Sequence, residues 1–388
     1  AIAGTHGKST TTAMLGAALV DAGLDPNVIV GATCPQLGDG ERVGFRLGAD
    51  TIPAGSQQGQ PGLLLCEACE FNRSFHNLSP RVAAITSVEA DHLDIYGSLD
   101  AIVEAFNQFA RMLPPEEEGG RLLIAHEGAL RGQVTAGVRA AVETIGLSPE
   151  ADWQVVFEPL ERRVILRHQR EEIARWTLRI PGEHNAMNSA VACALGIRLG
   201  ADPAAMAEGL SNFQGLDRRM QFLGEKEIAR WRSGSVSEVG AVRVYDDYGH
   251  HPTEVDATLR ALREYERPEL RGGRLICVFQ PHQHSRTRFL LDEFAQAFTH
   301  ADVVIVPHIY FVRDSEVEKS RVSAADLVDR LRERNVLAMH LYHFEAIVEQ
   351  LQNLCRPNDL LVVMGAGPVW KVARGFMESG SEDDGEGN

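Results

Sequence analysis

No apolar run in this chain approaches the roughly 20 residues that a helix needs to cross a bilayer, so no membrane span is expected. No secretory leader is expected either, because the first residues read as a short apolar strand followed by glycines. Basic residues are in deficit, 38 Lys and Arg against 54 Asp and Glu, for a formal net charge of −16. That balance argues against nonspecific nucleic-acid binding, since phosphate backbones need clustered Lys and Arg. Cysteine is scarce and scattered, at positions 34, 66, 69, 193, 277 and 355, mostly in apolar stretches. Free buried thiols in a reducing cytoplasm fit this pattern. Cys66 and Cys69 form a C-x-x-C, but no second pair completes a zinc site. There is no internal repeat.

What remains is a 388-residue chain of ordinary globular composition, 44% hydrophobic and 24% charged, long enough for two or three domains. Short apolar runs alternate with amphipathic helix patterns, which predicts an α/β protein with mostly parallel sheets. Strands are expected at 27–31, 63–67, 82–87 and 121–125, with helices over 9–22 and 99–112. Alternation of period two between 153 and 180 suggests a small antiparallel patch, and a helix follows to about 199. After 213–217 a new series begins, with strands at 242–245, 275–279, 303–306 and 360–363. Helices are expected over 253–263, 286–298, 324–332 and 344–354, and a last one starts near 367. This reads as a central ATP-binding domain over 1–214 and a Rossmann-like doubly wound domain over 215–378. The acidic tail 379–388 has nothing to bury and reads as disordered.

The chain opens on the order a phosphate site needs: an apolar strand end, a Gly-rich turn, then Lys8-Ser9 at a helix start. Gly4 and Gly7 let backbone N–H groups approach phosphate oxygens, Lys8 reaches the β- and γ-phosphates, and the Ser9 hydroxyl can ligate Mg²⁺. The general pattern wants Gly at position 2, where this chain has Ile2. Glu67 ends an apolar run, where a carboxylate would face the ligand crevice. Glu89-Ala90-Asp91-His92-Leu93-Asp94 follows another predicted strand and suits metal binding or acid/base chemistry. Each of these two also fits a solvated loop when taken alone.

Further on, His184 and Asn185 precede a helix, and Arg218-Arg219 sits at the domain junction, where an arginine can clamp phosphate. The densest constellation is Tyr245-Asp246-Asp247-Tyr248-Gly249-His250-His251-Pro252. Its counterpart runs from Phe279 through His282 and His284 to Arg286 and Arg288. Neighbouring parallel strand ends would bring the two together as a polar pocket. The arginines argue for an anion there, and a histidine-rich metal site is the alternative.

Together these motifs resemble the Mur ligase family, over about residues 1 to 377 and in the family order. Gly-Thr-His-Gly-Lys-Ser-Thr-Thr at 4–11 matches its ATP loop, implying ATP contacts from Gly4, Thr5, His6, Gly7, Lys8, Ser9 and Thr10. The resemblance makes Ser9, Glu67 and His92 the ligands of Mg²⁺, with Mn²⁺ a substitute. It gives His184, Asn185, Asn188, Arg219 and Asp247 to the nucleotide. Tyr248, His250, His282 and Arg286 would shape the amino-acid pocket, with Arg286 facing the carboxylate. Asp-Asp-Tyr-Gly-His-His-Pro-Thr-Glu at 246–254 and Gln-Pro-His-x-x-Ser-Arg-Thr at 280–287 point to the alanine-adding branch.

The implied activity is an ATP-dependent ligase of peptidoglycan synthesis, joining L-alanine to the carboxylate of UDP-N-acetylmuramate through an acyl phosphate. Lys8, Glu67 and His92 would serve the phosphoryl transfer, and His250 or His282 the proton transfer, which the residues do not assign. A cytoplasmic monomer or weak homodimer is implied, with no nucleic-acid or membrane partner. Alternatives are a ligase attaching a whole tripeptide to the same UDP-sugar, or an ATP-binding module that ligates nothing. Three departures from the family pattern stand out. The family's UDP-holding N-terminal domain does not precede the ATP loop. No lysine lies in 93–120, where some relatives carry a carbamylated one and this chain has Phe106. Finally, His282-Gln-His-Ser-Arg-Thr replaces a common His-Arg-Tyr-Ser-Arg-Thr.

Overall fold

In both halves of the chain, strands apolar on both faces are sandwiched between helices, as expected for parallel sheets buried on two sides. The computed structural model describes residues 1–38, 40–232 and 235–379, so the predicted tail at 379–388 lies, beyond Ser379, outside the described residues. The chain divides into two units, Ala1–Asp217 and the remainder from Arg218.

The first unit is built on a seven-stranded sheet. Its strands run in spatial order Ile2–Ala3, Val82–Ile85, Arg121–Ala125, Ala141–Gly146, Trp153–Glu158, Arg163–His168 and Glu171–Thr177. The first five pair in parallel and the last three antiparallel. A second sheet joins Val43–Arg46, Asn27–Cys34 and Leu64–Cys66. Side chains alternate between two cores. Ala84 and Leu123 face the one made with the Lys8–Asp21 and Glu183–Arg198 helices, whereas Ala83, Ile85, Leu122 and Ile124 face the Leu99–Arg111 helix.

The second unit carries a six-stranded sheet in the order Gln221–Arg232, Ser235–Asp247, Leu360–Met364, Leu275–Phe279, Val303–Val306, Leu337–His340. Only its first pair is antiparallel. Tyr245, Cys277, Phe279, Val362 and Met364 face one core and Val244, Ile276, Val278, Leu361 and Val363 the other.

Most expected elements are present, with differences that have local causes. The helix expected over 286–298 breaks at Leu290 into His284–Phe289 and Leu291–Ala297. The strand expected to reach Ser87 ends at Ile85, so that Thr86 and Ser87 turn toward the first loop. Strands Ala141–Gly146, Gln221–Arg232 and Leu337–His340 and the helix Pro203–Asn212 were not anticipated. Among the described residues, no helix is long and apolar enough to cross a membrane.

Phe106 lies in the first unit's second core, fully buried, with Phe75 edge-on at 5.2 Å. Phe75 also stacks on Phe109 at 4.8 Å. Phe106→Ala is expected to lower unfolding stability by about 3–5 kcal/mol in urea titration, because it leaves an aromatic-sized cavity. A loss below about 1 kcal/mol would show that this core can collapse around the gap.

Candidate active site

The Gly4–Ser9 turn follows from one short strand meeting one helix with no room to spare. Ile2 and Ala3 pair with Ala84 and Ile85, which delivers the chain to the carboxyl ends of the parallel strands. Thr5 N–H then donates to the Ser87 carbonyl at 2.9 Å, His6 N–H to Ser87 Oγ at 3.0 Å, and Glu89 N–H to Thr5 Oγ1 at 2.9 Å. Gly4 and Gly7 have positive φ, 132° and 81°. A Cβ on Gly4 would sit 2.1 Å from Thr86 Oγ1, and one on Gly7 2.4 Å from Asn188 Oδ1. Both positions therefore exclude any side chain. The Lys8–Asp21 helix opens on Gly7 with no side-chain cap and no acid in its first turn, leaving its N-terminal amides available to an anion.

Lys8 arches back over this turn. Its Nζ donates to the Gly4 carbonyl at 2.6 Å and the Thr5 carbonyl at 3.1 Å, and pairs with Glu70 at 2.8 Å. Beside it, Ser9 Oγ donates to Glu67 Oε1 at 3.0 Å, and Glu67 Oε2 accepts from Gly31 N–H at 2.7 Å. Thr10 is buried in the helix's first turn. On the neighbouring helix, Asn188 Oδ1 accepts from Thr11 Oγ1 at 3.3 Å, and Asn185 Nδ2 donates to the Pro181 carbonyl at 2.7 Å. His184 lies half-buried in that helix's first turn.

His92 occupies left-handed backbone at φ 52°, heading the short Leu93–Tyr96 helix. Its Nε2 lies 3.6 Å from Asp91, and its ring packs edge-on to Phe71 at 5.1 Å. It makes no hydrogen bond to Ser9 or Glu67 among the described residues, so only two of the three expected metal ligands are directly joined. The donor set nevertheless suits a hard divalent cation: a hydroxyl and a carboxylate already converge, and His92 Nδ1 is buried with no hydrogen-bond partner among the described residues. Glu70 is the site residue that sequence reasoning passed over. The available signal was its place three residues after Glu67 in the same strand-end segment.

The second unit gathers the other set. Asp247 is buried at the end of its strand, where it accepts from Met220 N–H at 2.7 Å and Gly249 N–H at 2.6 Å. Burial pushes its carboxyl up to about 6, against the downward pull of Arg219. The Arg219 guanidinium lies 4.9 Å above the Tyr248 ring and Arg218 lies 5.1 Å from it. Arg218 also donates to the Gly365 carbonyl at 2.5 Å.

His250 packs edge-on to Tyr248 at 5.4 Å and to His282 at 5.6 Å. Both expected histidines and Tyr248 thus form one cluster, with Tyr310 at 5.8 Å from His282 added by the structure. Arg286 is buried, and its Nη1 lies 2.9 Å from His282 Nδ1. The guanidinium can only donate, so Nδ1 accepts and the His282 proton resides on Nε2. His250 is set the other way. Its Nδ1 lies 3.1 Å from the Tyr248 carbonyl, which can only accept, so in the neutral ring Nε2 is the basic nitrogen. Arg288, expected to act beside Arg286, instead pairs with Glu318 at 2.6 Å.

Asp246 supplies a pH test of this arrangement. Burial pushes its carboxyl up to about 7, although Arg218 at 3.3 Å pulls the other way. In the unfolded chain the group titrates near 3.9, so the folded state holds the extra proton between about pH 4 and 7. Its stabilising contribution is complete below that window and is lost as pH rises through about 7. Asp246→Asn is expected to flatten this decline, by up to about 4 kcal/mol across the window in denaturant titrations. Parallel stability–pH curves for the two proteins would contradict the assignment.

Comparison with known proteins identifies the family of both units. The model of the Mur ligase middle domain matches residues 2–196, and that of the Mur ligase, glutamate ligase domain matches residues 218–367. A UDP-N-acetylmuramate–L-alanine ligase of Desulfitobacterium hafniense is 34% identical over 380 residues, covering 97% of this chain and 76% of the relative. One from Salinibacter ruber is 33% identical, covering 99% and 74%. The solved UDP-N-acetylmuramate–alanine ligase of Thermotoga maritima shares the fold at a TM-score of 0.72, with 24% identity over 97% of this chain and 74% of that one. On the two domain models and these relatives, the chain belongs to the Mur ligase family.

Proposed function

We propose that the chain is an ATP-dependent ligase that joins L-alanine to the carboxylate of UDP-N-acetylmuramate, as the names of its relatives suggest. The observation that carries this reading is the turn at Gly4–Ser9, with Lys8, Ser9 and Glu67 converging at the carboxyl end of a parallel sheet. In this reading Gly4, Thr5, His6, Gly7 and Thr10 cradle the triphosphate of ATP, and Lys8 meets the charge that builds on the transferring phosphoryl. Ser9, Glu67 and His92 would hold Mg²⁺, or Mn²⁺ in its place, which supplies further neutralisation of the phosphate oxygens. His184, Asn185, Asn188, Arg219 and Asp247 complete the nucleotide contacts.

The substrate carboxylate attacks the γ-phosphorus, the bond to ADP breaks, and an acyl phosphate forms. The alanine amine then attacks the acyl carbon and phosphate leaves. Arg286 takes the alanine carboxylate, with Tyr248 and His282 shaping the pocket. A base must accept the amine proton, and the hydrogen bonding of the two rings favours His250, whose Nε2 is the basic nitrogen, over His282. This chemistry draws on ATP, which places it in the cytoplasm, and the reading takes the chain as a monomer or weak homodimer.

ADP release is expected only when UDP-N-acetylmuramate and L-alanine are both present, and a tripeptide in place of L-alanine is expected to support none. ADP formed without them, or none with them, contradicts the ligase reading. Glu67→Ala is expected to abolish Mg²⁺-dependent turnover while far-UV circular dichroism stays unchanged. A rate within twofold of wild type would remove Glu67 from the site.

A further inference from the structure

Lys8 does not offer a free positive charge to the loop it serves. Its ammonium is spanned by both carboxylate oxygens of Glu70, at 3.0 and 2.8 Å, while the Gly4 and Thr5 carbonyls hold it from the other side. Both side chains are desolvated, Lys8 to 12% exposure and Glu70 to 4%. The Glu70 backbone is also held from behind. The Glu70 carbonyl accepts from Tyr96 Oη at 2.5 Å and from Arg73 N–H at 2.8 Å, and the Arg73 guanidinium lies 4.8 Å over the Tyr96 ring.

A buried ion pair of this kind is neutral as a unit, and removing one partner leaves a buried charge in search of another. A triphosphate arriving at the turn therefore meets Lys8 already engaged, with a fixed negative charge beside it. From this geometry we infer that Glu70 is a positioning residue that holds Lys8 in place and competes with ATP for it, so that Lys8 is surrendered as phosphoryl transfer proceeds. Competition of this sort weakens ground-state binding of ATP and saves the Lys8 interaction for the transition state, which raises kcat. The inference rests on the ATP-binding reading of the turn, but it does not need the ligase reading to be correct.

The test is Glu70→Gln in the full chain, which keeps the side-chain shape and the backbone bonds and removes only the charge. ATP binding by calorimetry in the presence of Mg²⁺ is expected to tighten at least fivefold. KM for ATP is expected to fall with it, and kcat to fall at least tenfold, a split that marks loss of ground-state competition rather than loss of structure. Glu70→Asp is expected to restore part of both, with thermal unfolding of all three proteins compared to confirm intact folds. ATP binding that is unchanged or weaker in Glu70→Gln overturns the proposal. Where the wild type binds ATP without ligating, the binding comparison still decides the role of Glu70, and the failure falls on the ligase reading alone.

Discussion

The first unit depends on how closely its opening turn is clasped. Gly4 lies against Thr86 and Ser87 on the adjacent strand end, and Gly7 lies against Asn188 on a helix almost two hundred residues away in sequence. Neither contact leaves space for a single carbon atom. The turn is therefore fixed by two segments at once, and this rigidity holds the first amides of the Lys8–Asp21 helix open to an anion. Preorganised donors of this kind cost no rearrangement when charge develops, which is the main resource an enzyme has in phosphoryl transfer. Sheet pairing of Ile2 with Ala84 and of Ala3 with Ile85 sets the height of the turn, and the placement of Glu67 one residue past its strand follows from the same register.

In the second unit, the same principle operates on buried acids instead of glycines. Asp246 and Asp247 end one strand side by side, and each is matched by an arginine from the segment just before the preceding strand. Backbone amides of Met220 and Gly249 grip Asp247 on both oxygens, so its geometry is set before any ligand arrives. Raised carboxyl groups in such a place mark a site that stores electrostatic cost in its folded state. Hydrogen bonding also separates two histidines that look equivalent in sequence. Arg286 forces an acceptor nitrogen on His282, and the Tyr248 carbonyl asks a donor of His250.

Much of this was legible in the sequence because strand ends announce themselves. Apolar runs such as Leu275–Phe279 and Leu360–Met364 are buried along their whole length, and the polar residues that follow them fall at the carboxyl edge. In the second unit Tyr248, His250, His282 and Arg286 accordingly lie together, and in the first Ser9 meets Glu67. Elements with mixed patterns were harder to see. Ala141–Gly146 carries Glu143 and Thr144 in its middle, and Leu337–His340 is only four residues long with an exposed leucine, so neither gives a clear period. The break at Leu290 has no proline or glycine to signal it. Glu70 was harder to see for a different reason: its place near Glu67 hints at the site, but its role comes from an ion pair to a lysine 62 positions away.

In the proposed chemistry this rigid turn activates a carboxylate by passing it the γ-phosphoryl of ATP. Positional isotope exchange tests it most directly, using ATP labelled with ¹⁸O in the β,γ-bridge, UDP-N-acetylmuramate present and L-alanine withheld. Reversible formation of an acyl phosphate predicts that the label scrambles into the non-bridging β-oxygens, and only when the sugar nucleotide is added. Full ligase turnover with alanine, accompanied by no scrambling in its absence, would contradict an acyl phosphate formed before the amine arrives.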